Sequence, residues 1–478
     1  MAESTLTLPG DPKGAVLRFA PNPNGPLSIG HARGVITNNY LAKKYGGKFI
    51  LRFDDTDPKT KKPVKDAYGW IPEDCRWLGC EPDMVVTASE NMDTYYSYAQ
   101  ELIKSGHAYI CACEREAFKT LKDQKMACPH RNQTPEVSLS GWKGMLTSTK
   151  EGESVLRIKT DMENPDPALR DWAAFRILEA EHPLVGKRYR VWPMLDFESA
   201  IEDHIRAVTH IIRGIDLADS GLKQKYLYDY FGWTYPEVIL WGRLQIEETG
   251  KFSTSKMAQD IASGLLTGWD DPRIPTLRAL RRRGIQAESI KELMLGFGLS
   301  DNAASLSLEN LYSINRRNLD QKTNRYFFIP DPVKLLAVGM PGKTVRMPLH
   351  PSFKERGVRE QCYDTGGCLF IPKKDTDLKV GDVIKLMGLS CIAVESVDDG
   401  ILKARYVPDE NKKAKKVQCL QDYAQCEVMK PDGGLDTGYC DPQCRELDVG
   451  TIVQFERYGF CRLDSKDEKK LTFVYGHN

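Results

Sequence analysis

The chain lacks any long hydrophobic run. Among its 478 residues, no apolar stretch is long enough to cross a bilayer as a helix, so a helical membrane protein is excluded. A surplus of charge is missing too. The 67 Lys and Arg against 66 Asp and Glu leave a net charge of +1. The whole molecule is therefore no electrostatic magnet, and nucleic-acid binding would have to rest on local patches. No internal repeat of fixed period is present, which argues against solenoids and propellers. The opening residues, MAESTLTLPGDPKG, lack the apolar core of a signal peptide. The expected setting is cytoplasmic, where the thirteen cysteines stay reduced and serve packing or metal binding rather than disulfides.

What is there is a chain of roughly two to four domains, by length alone. From Ala15 to about Gly106 the pattern is α/β: the strand AVLRFA, a glycine-rich turn, the helical run VITNNYLAKKY, and a second strand, KFILRF, ending in the acidic cluster Asp54, Asp55 and Asp57. Strands alternating with helices predict a parallel sheet. Residues near 108–188 carry a cysteine cluster and irregular patterning, as an insertion would. VWPMLDF and VTHIIRG return to apolar segments around polar residues. From about Ser263 to Phe328 the text is helical and basic, including LRALRRRGI. After Pro330, short β-branched runs (KTVRM, CLFI, DVIKL, TIVQF) alternate with Gly, Pro and Asp turns, an all-β signature.

Four features point to chemistry, each with a plain alternative. In GPLSIGHARG, residues 25–34, small residues lie between a strand and a helix. Free backbone N–H groups at a helix N-terminus suit phosphate. Gly30 allows close approach and His31 can donate a hydrogen bond, though glycine often merely punctuates a chain. KFSTSKM, residues 251–257, puts hydroxyls and two lysines in one loop. That loop can clamp a triphosphate or simply be solvated. Cys111, Cys113, Cys128 and His130 have the spacing of a closed, structural zinc knuckle; buried unliganded thiols are the alternative. A further pair, Cys440 and Cys444, lacks obvious partners and reads as core or surface cysteine. Finally, Arg18, Asp54 and Arg213 lie at the ends of apolar strands, where open parallel sheets bind ligands. Two guanidinium forks and a carboxylate complement a zwitterion with an extra carboxylate, such as glutamate. Surface ion pairs would look the same in sequence.

Together these pieces resemble a class I aminoacyl-tRNA synthetase of the glutamyl/glutaminyl subgroup, archaeal-type glutamyl. RFAPNPNGPLSIGHARG resembles its HIGH signature, ILRFDDTDP its second-strand motif and KFSTSKM its KMSKS loop. DPALRDWAAFRI, VWPMLDF, EDHIRAVTHIIRG and GWDDPRIPTLRALRRRGI match further blocks in order, so the resemblance covers nearly the whole chain. It implies a multidomain protein: an α/β Rossmann-type catalytic domain with a parallel sheet in residues 1–107 and 189–245, and an α+β acceptor-end insertion with the zinc knuckle in 108–188. A KMSKS-type loop with a helical connector would follow in 246–332, and all-β anticodon-binding barrels in 333–478.

The resemblance also implies roles. Ser28, Gly30 and His31 would position ATP, with Mg2+, and Lys251, Ser253, Ser255 and Lys256 would stabilise the leaving pyrophosphate. Of these, Ser28, His31 and Lys256 are the catalytic candidates. Arg18, Asn22, Asp54 and Arg213 would hold L-glutamate. The glutaminyl family carries cysteine where this chain has Arg213, and a buried guanidinium wants a carboxylate rather than an amide. The implied reaction is glutamyl-adenylate formation, then transfer to the 3′-terminal adenosine of tRNA(Glu), with tRNA(Gln) a second candidate, by a monomer. A glutaminyl enzyme and a catalytically silent tRNA-binding relative are the competing readings. Three departures stand out. The first histidine of the signature is Ser28, which is shorter and never cationic and implies slower activation. Thr254 replaces the signature lysine, with Lys256 as substitute, and Leu195 replaces a side-chain-binding tyrosine. The run Lys412, Lys413, Lys415 and Lys416 can hold tRNA phosphates or be a solvated loop.

Overall fold

In the computed structural model, residues 6–246, 253–398, 400–408 and 413–478 are described. They form two compact units, Met1–Ala262 with Ile290–Ser307, and Ser263–Ser289 with Leu308–Asn478.

The first unit is built on parallel strands. Strand β1 (Val16–Phe19) leads to helix α1 (Ile29–Lys44), then β2 (Lys48–Phe53), α2 (Ala67–Trp77), β3 (Met84–Thr87) and α3 (Met92–Lys104). β2 pairs in parallel with β1 on one side and β3 on the other. Five of its six residues are buried, as a strand covered on both faces requires. The layer is extended beyond β1: the Thr209 N–H donates to the Val16 carbonyl at 3.0 Å and leads into strands that follow the insertion.

That insertion holds β4 (Ala108–Cys111), α4 (Arg115–Asp123), α5 (Pro135–Thr147), β5 (Val155–Ile158), β6 (Ala173–Ile177) and β7 (Val191–Pro193). Its strands pair antiparallel in the order β4-β5-β6-β7. Trp142 of α5 meets Phe175 of β6 edge-on at 5.2 Å and Tyr96 of α3 at 5.5 Å, so one aromatic core ties the sheet to α3 and α5. The chain then returns through α6 (Leu195–Ile205), β8 (His210–Gly214), α7 (Ala218–Phe231) and β9 (Glu237–Trp241), with β8 and β9 parallel. α8 (Thr254–Ala262) follows, and Ile290–Ser307 completes the unit, with Ala304–Leu306 pairing in parallel with Leu244–Ile246.

Two local expectations are corrected. The glycine-rich stretch is not a turn as far as Gly34: α1 starts at Ile29, so Gly30, His31 and Gly34 are helical. Glycine is a poor helix former, but packing overrides propensity here. A Cβ on Gly34 would lie 2.7 Å from the Phe19 ring, so only glycine lets α1 approach β1 this closely. Likewise KFSTSKM is not a loop throughout. α8 begins at Thr254, and the Lys256 N–H donates to the Ser253 hydroxyl at 3.2 Å, an N-cap bond.

The second unit is mostly strand, as the alternation after Pro330 predicts. A seven-stranded sheet runs in the order Asn324–Tyr326, Ile452–Phe455, Gly459–Lys466, Lys470–His477, Ala424–Met429, Leu435–Cys440, Phe328–Pro330. Its first and last members are separated only by Phe327, so one extended segment forms both borders and the sheet closes on itself. A six-stranded sheet runs Cys368–Pro372, Pro332–Val338, Ile401–Val407, Cys391–Asp398, Val383–Leu386, Lys415–Val417. A bridge between Phe370 and Leu420 brings its two borders together. Cys440 and Cys444 are fully buried in the core of the seven-stranded barrel.

Candidate functional site

A cavity of about 480 Å³ opens at the carboxyl ends of the parallel strands, where the topology of such sheets leaves a crevice. Four of these strands deliver a side chain to it. Arg18 comes from β1, Asp54 directly follows β2, Arg213 is near the end of β8 and Trp241 ends β9. Helix α1 contributes Gly34 and Asn38, and α6 contributes Leu195, Glu198 and Ser199. Arg18, Asn22, Asp54 and Arg213, scattered in sequence, thus line one wall system, and Leu195 stands among them.

Their partners differ from a simple set of free charges. Arg18 gives its Nε to Asp203 at 3.1 Å and Asp54 accepts from Arg52 Nε at 2.6 Å. The sequence does not single out Arg52, yet it is the hub: it also donates to Asp203 at 2.7 Å and to Ser199 at 2.6 Å, with Glu198 at 3.7 Å. These carboxylates raise the Arg52 pKa well above its ordinary value although burial opposes them. Burial would raise Asp203, but Arg18 and Arg52 hold it below the usual carboxylate range. Asn22 donates to the Asp54 carbonyl at 3.0 Å and keeps a buried Oδ1 without a partner.

Arg213 is different. Only 6% exposed, it has no carboxylate among its hydrogen-bond partners. Its Nη2 donates to Gln224 at 2.9 Å, and Gln224 in turn accepts from Tyr235. Its Nε is buried with no partner. Burial first, then Arg18, lowers its pKa, but a guanidinium stays charged. An unpaired cation facing a cavity calls for an anion.

Ser28, Gly30 and His31 form the first turn of α1 and do not line the cavity, though Gly34, one turn on, does. His31 Nδ1 accepts from the Ser28 N–H at 3.1 Å, which leaves the ring proton on Nε2. Burial lowers the His31 pKa, so the ring is neutral. A Cβ on Gly30 would meet only the Ser28 hydroxyl, at 3.7 Å, so space above this turn is open. Ser253, Ser255 and Lys256 are exposed and not among the cavity residues. Lys256 pairs with Asp260 at 2.7 Å, one turn along α8. Lys251 and Lys412 lie outside the described residues.

Cys111, Cys113, Cys128 and His130 are brought together, with all donor atoms within 4.8 Å of one another. The Cys111–Cys128 sulfurs are 3.9 Å apart and Cys113 Sγ lies 3.4 Å from His130 Nδ1. Tetrahedral zinc with bonds of ~2.3 Å to sulfur would set two sulfurs about 3.8 Å apart, so the four donors fit that ion. Among the described residues this is the one such cluster. Tyr109 stands behind it, its hydroxyl 3.4 Å from Cys128 Sγ and bonded to Asp171 at 2.9 Å, the kind of outer support that orients metal ligands.

Comparison with known proteins adds the family. Residues 15–321 match the family described as tRNA synthetases class I (E and Q), catalytic domain; residues 323–407 and 406–464 match two anticodon-binding domains of the same class. A glutamate–tRNA ligase of Methanothrix thermoacetophila is 48% identical over 99% of this chain and 84% of its own length. One of Archaeoglobus fulgidus is 47% identical over 98% and 84%. A crystal structure of a glutamate tRNA ligase from Elizabethkingia meningosepticum, in complex with its amino acid, is 22% identical. The likeness covers 65% of this chain and 71% of that one at a TM-score of 0.46.

Proposed function

The chain belongs to the class I (E and Q) tRNA synthetases and is a glutamate–tRNA ligase, and from that premise we propose how its residues divide the work. The cavity takes L-glutamate. Arg213 pairs with the side-chain carboxylate, Asp54 receives the ammonium, and Arg18 and Asn22 frame the substrate between them. The observation that carries this reading is the buried, unpaired Nε of Arg213 in the cavity wall. Glutamine would leave that guanidinium without a counter-charge, a loss of several kcal/mol.

ATP lies across the first turn of α1. Neutral His31 donates from Nε2, Ser28 offers its hydroxyl, and Gly30 leaves room for the nucleotide. Bound with the nucleotide, Mg2+ offsets phosphate charge. Lys251, Ser253, Ser255 and Lys256 stabilise the pyrophosphate that leaves, which requires Lys256 to exchange its Asp260 partner for phosphate. Such an exposed pair is weak and gives way readily. The substrate carboxylate is already ionised at neutral pH, so activation needs no side-chain base and rests on alignment and electrostatics. A ribose hydroxyl of the terminal adenosine, the 2′-OH in class I enzymes, then takes the glutamyl group.

The remaining parts follow the same reading. Residues 108–188 hold the acceptor end, stiffened by zinc on Cys111, Cys113, Cys128 and His130. Residues 1–107 and 189–245 form the catalytic domain, with 191–193 pairing onto the insertion's sheet; 246–332 form the signature loop and connector, whose end at 324–330 already belongs to a barrel, and 333–478 the rest of the barrels that read the anticodon. The working protein is a cytoplasmic monomer, tRNA(Glu) is its substrate, and tRNA(Gln) is the second candidate. No helix among the described residues is long and apolar enough to cross a membrane.

One experiment tests the assignment. Purified tRNA(Glu) and tRNA(Gln) are charged with labelled glutamate or glutamine by the wild type and by Arg213→Cys. The wild type is expected to use glutamate, and the variant to lose on the order of 10²–10³ in kcat/KM for it. A wild-type preference for glutamine overturns the reading.

A further inference from the structure

The Arg52 hub holds one carboxyl group too many. Glu198, in the first turn of α6, is fully buried, yet it lines the cavity. Neither of its carboxyl oxygens has a hydrogen-bond partner, and Arg52, 3.7 Å away, is already bonded to Asp54 and Asp203. The charged groups acting on Glu198 are Asp54 and Arg52 from the end of β2 and Glu202 from α6, with the Arg18–Asp203 pair beyond Arg52; the Tyr95 hydroxyl from α3 is held by Glu202. Arg206 pairs with Glu202, and Arg213, bonded to Gln224, acts on Asp203 and Arg18.

Arg18 and Arg52 are engaged by Asp203 and Asp54, and Arg213, the third cation of the wall, makes no ion pair with Glu198. An ionised Glu198 would add an uncompensated buried negative charge beside a second carboxylate, which is strongly disfavoured. The α6 N-terminus favours the anion, but only weakly by comparison. Burial first, then Asp54, pushes the Glu198 carboxyl well above the ordinary range. As a neutral acid it can donate to Asp54, which also resolves its missing partner: two carboxylates have no proton to share, whereas an acid and a carboxylate have one.

We propose that the ammonium group of the bound amino acid takes the place of the proton held between Glu198 and Asp54, so that filling the cavity expels one proton. This deepens, and rests on, the reading of the cavity as the glutamate site. The exchange balances: the Glu198 carboxylic acid becomes a carboxylate against the incoming ammonium, and the proton passes to buffer. Glu198 is then a positioning residue that grips only a substrate bearing an α-ammonium. The sign follows from linkage. A ligand that expels a proton binds more weakly as pH falls, about tenfold per pH unit while Glu198 is protonated in the empty protein.

Calorimetric titration of the full-length protein with L-glutamate, at neutral pH in phosphate and in Tris, reads the number of protons released from the difference in heat between buffers. A value near one is expected for glutamate and near zero for glutarate, which has both carboxylates and no ammonium. Glu198→Gln should release none, and its KM for glutamate in the charging reaction should lose the rise toward acid pH that the wild type shows. Glutamate binding without proton release, or equal release by glutarate, overturns the proposal while leaving the cavity reading intact. Glutamate affinity indifferent to Arg213→Cys overturns the cavity reading itself.

Discussion

Arg52 is bonded through its guanidinium to Asp54, Asp203 and Ser199 at once, and this makes it the residue on which the cavity depends. Removing its charge strands buried carboxylates, so Arg52→Met is expected to cost about 3–5 kcal/mol, read as a lowered urea midpoint. A loss under 1 kcal/mol would mean that the carboxylates accept protons without strain. Legibility at this scale divides by position. Arg18, Asp54 and Arg213 are visible in the sequence because they sit where apolar strands end. Arg52 and Glu198 are not, because a charge inside KFILRF or FESAIED looks like a solvated face until the neighbours on β1 and α6 are known. The same is true of Gln224, whose hold on Arg213 comes from α7 and leaves no local pattern.

Helix α1 is the element that carries the most information. Its small residues read as a turn, and the structure makes them the means of close packing. Gly34→Ala forces a Cβ to 2.7 Å from the Phe19 ring; overpacking of this kind costs typically ~1–3 kcal/mol. Phe19 lines the cavity, so a lowered melting temperature should be accompanied by a raised KM for glutamate. Gly30→Ala, where only a contact of 3.7 Å would arise, should leave the melting temperature nearly unchanged. Equal destabilisation by both would show that helix propensity, not the Phe19 contact, decides. The strands of both sheets were legible from β-branched runs and turn residues, since those act locally. Where α1 and α8 begin was not, because Ser28 and Ser253 act as N-caps only in a backbone geometry that a run of small residues and hydroxyls does not reveal.

For the whole molecule, the cysteines offer a test of chemistry and fold together. Of the thirteen, Cys362 is exposed, Cys113 and Cys368 are half-buried, and ten are buried. Titration of the native protein with a thiol reagent should therefore modify Cys362 fast and Cys368 more slowly, and the buried ten only after unfolding. If zinc occupies the knuckle, Cys113 reacts only after a chelator is added, with about one zinc released per chain. Immediate labelling of Cys113 in protein never exposed to chelator, with no zinc by elemental analysis, removes the metal. The near-zero net charge gave no hint of a nucleic-acid partner; that came from ordered motifs, since composition averages over surfaces that act separately.

The seven-stranded barrel has one more consequence. Segment 324–330 serves as both borders of its own sheet, so the backbone groups through which β-rich proteins recruit copies of themselves are already taken. This barrel therefore offers no open border on which a fibre could grow for as long as that single segment stays seated.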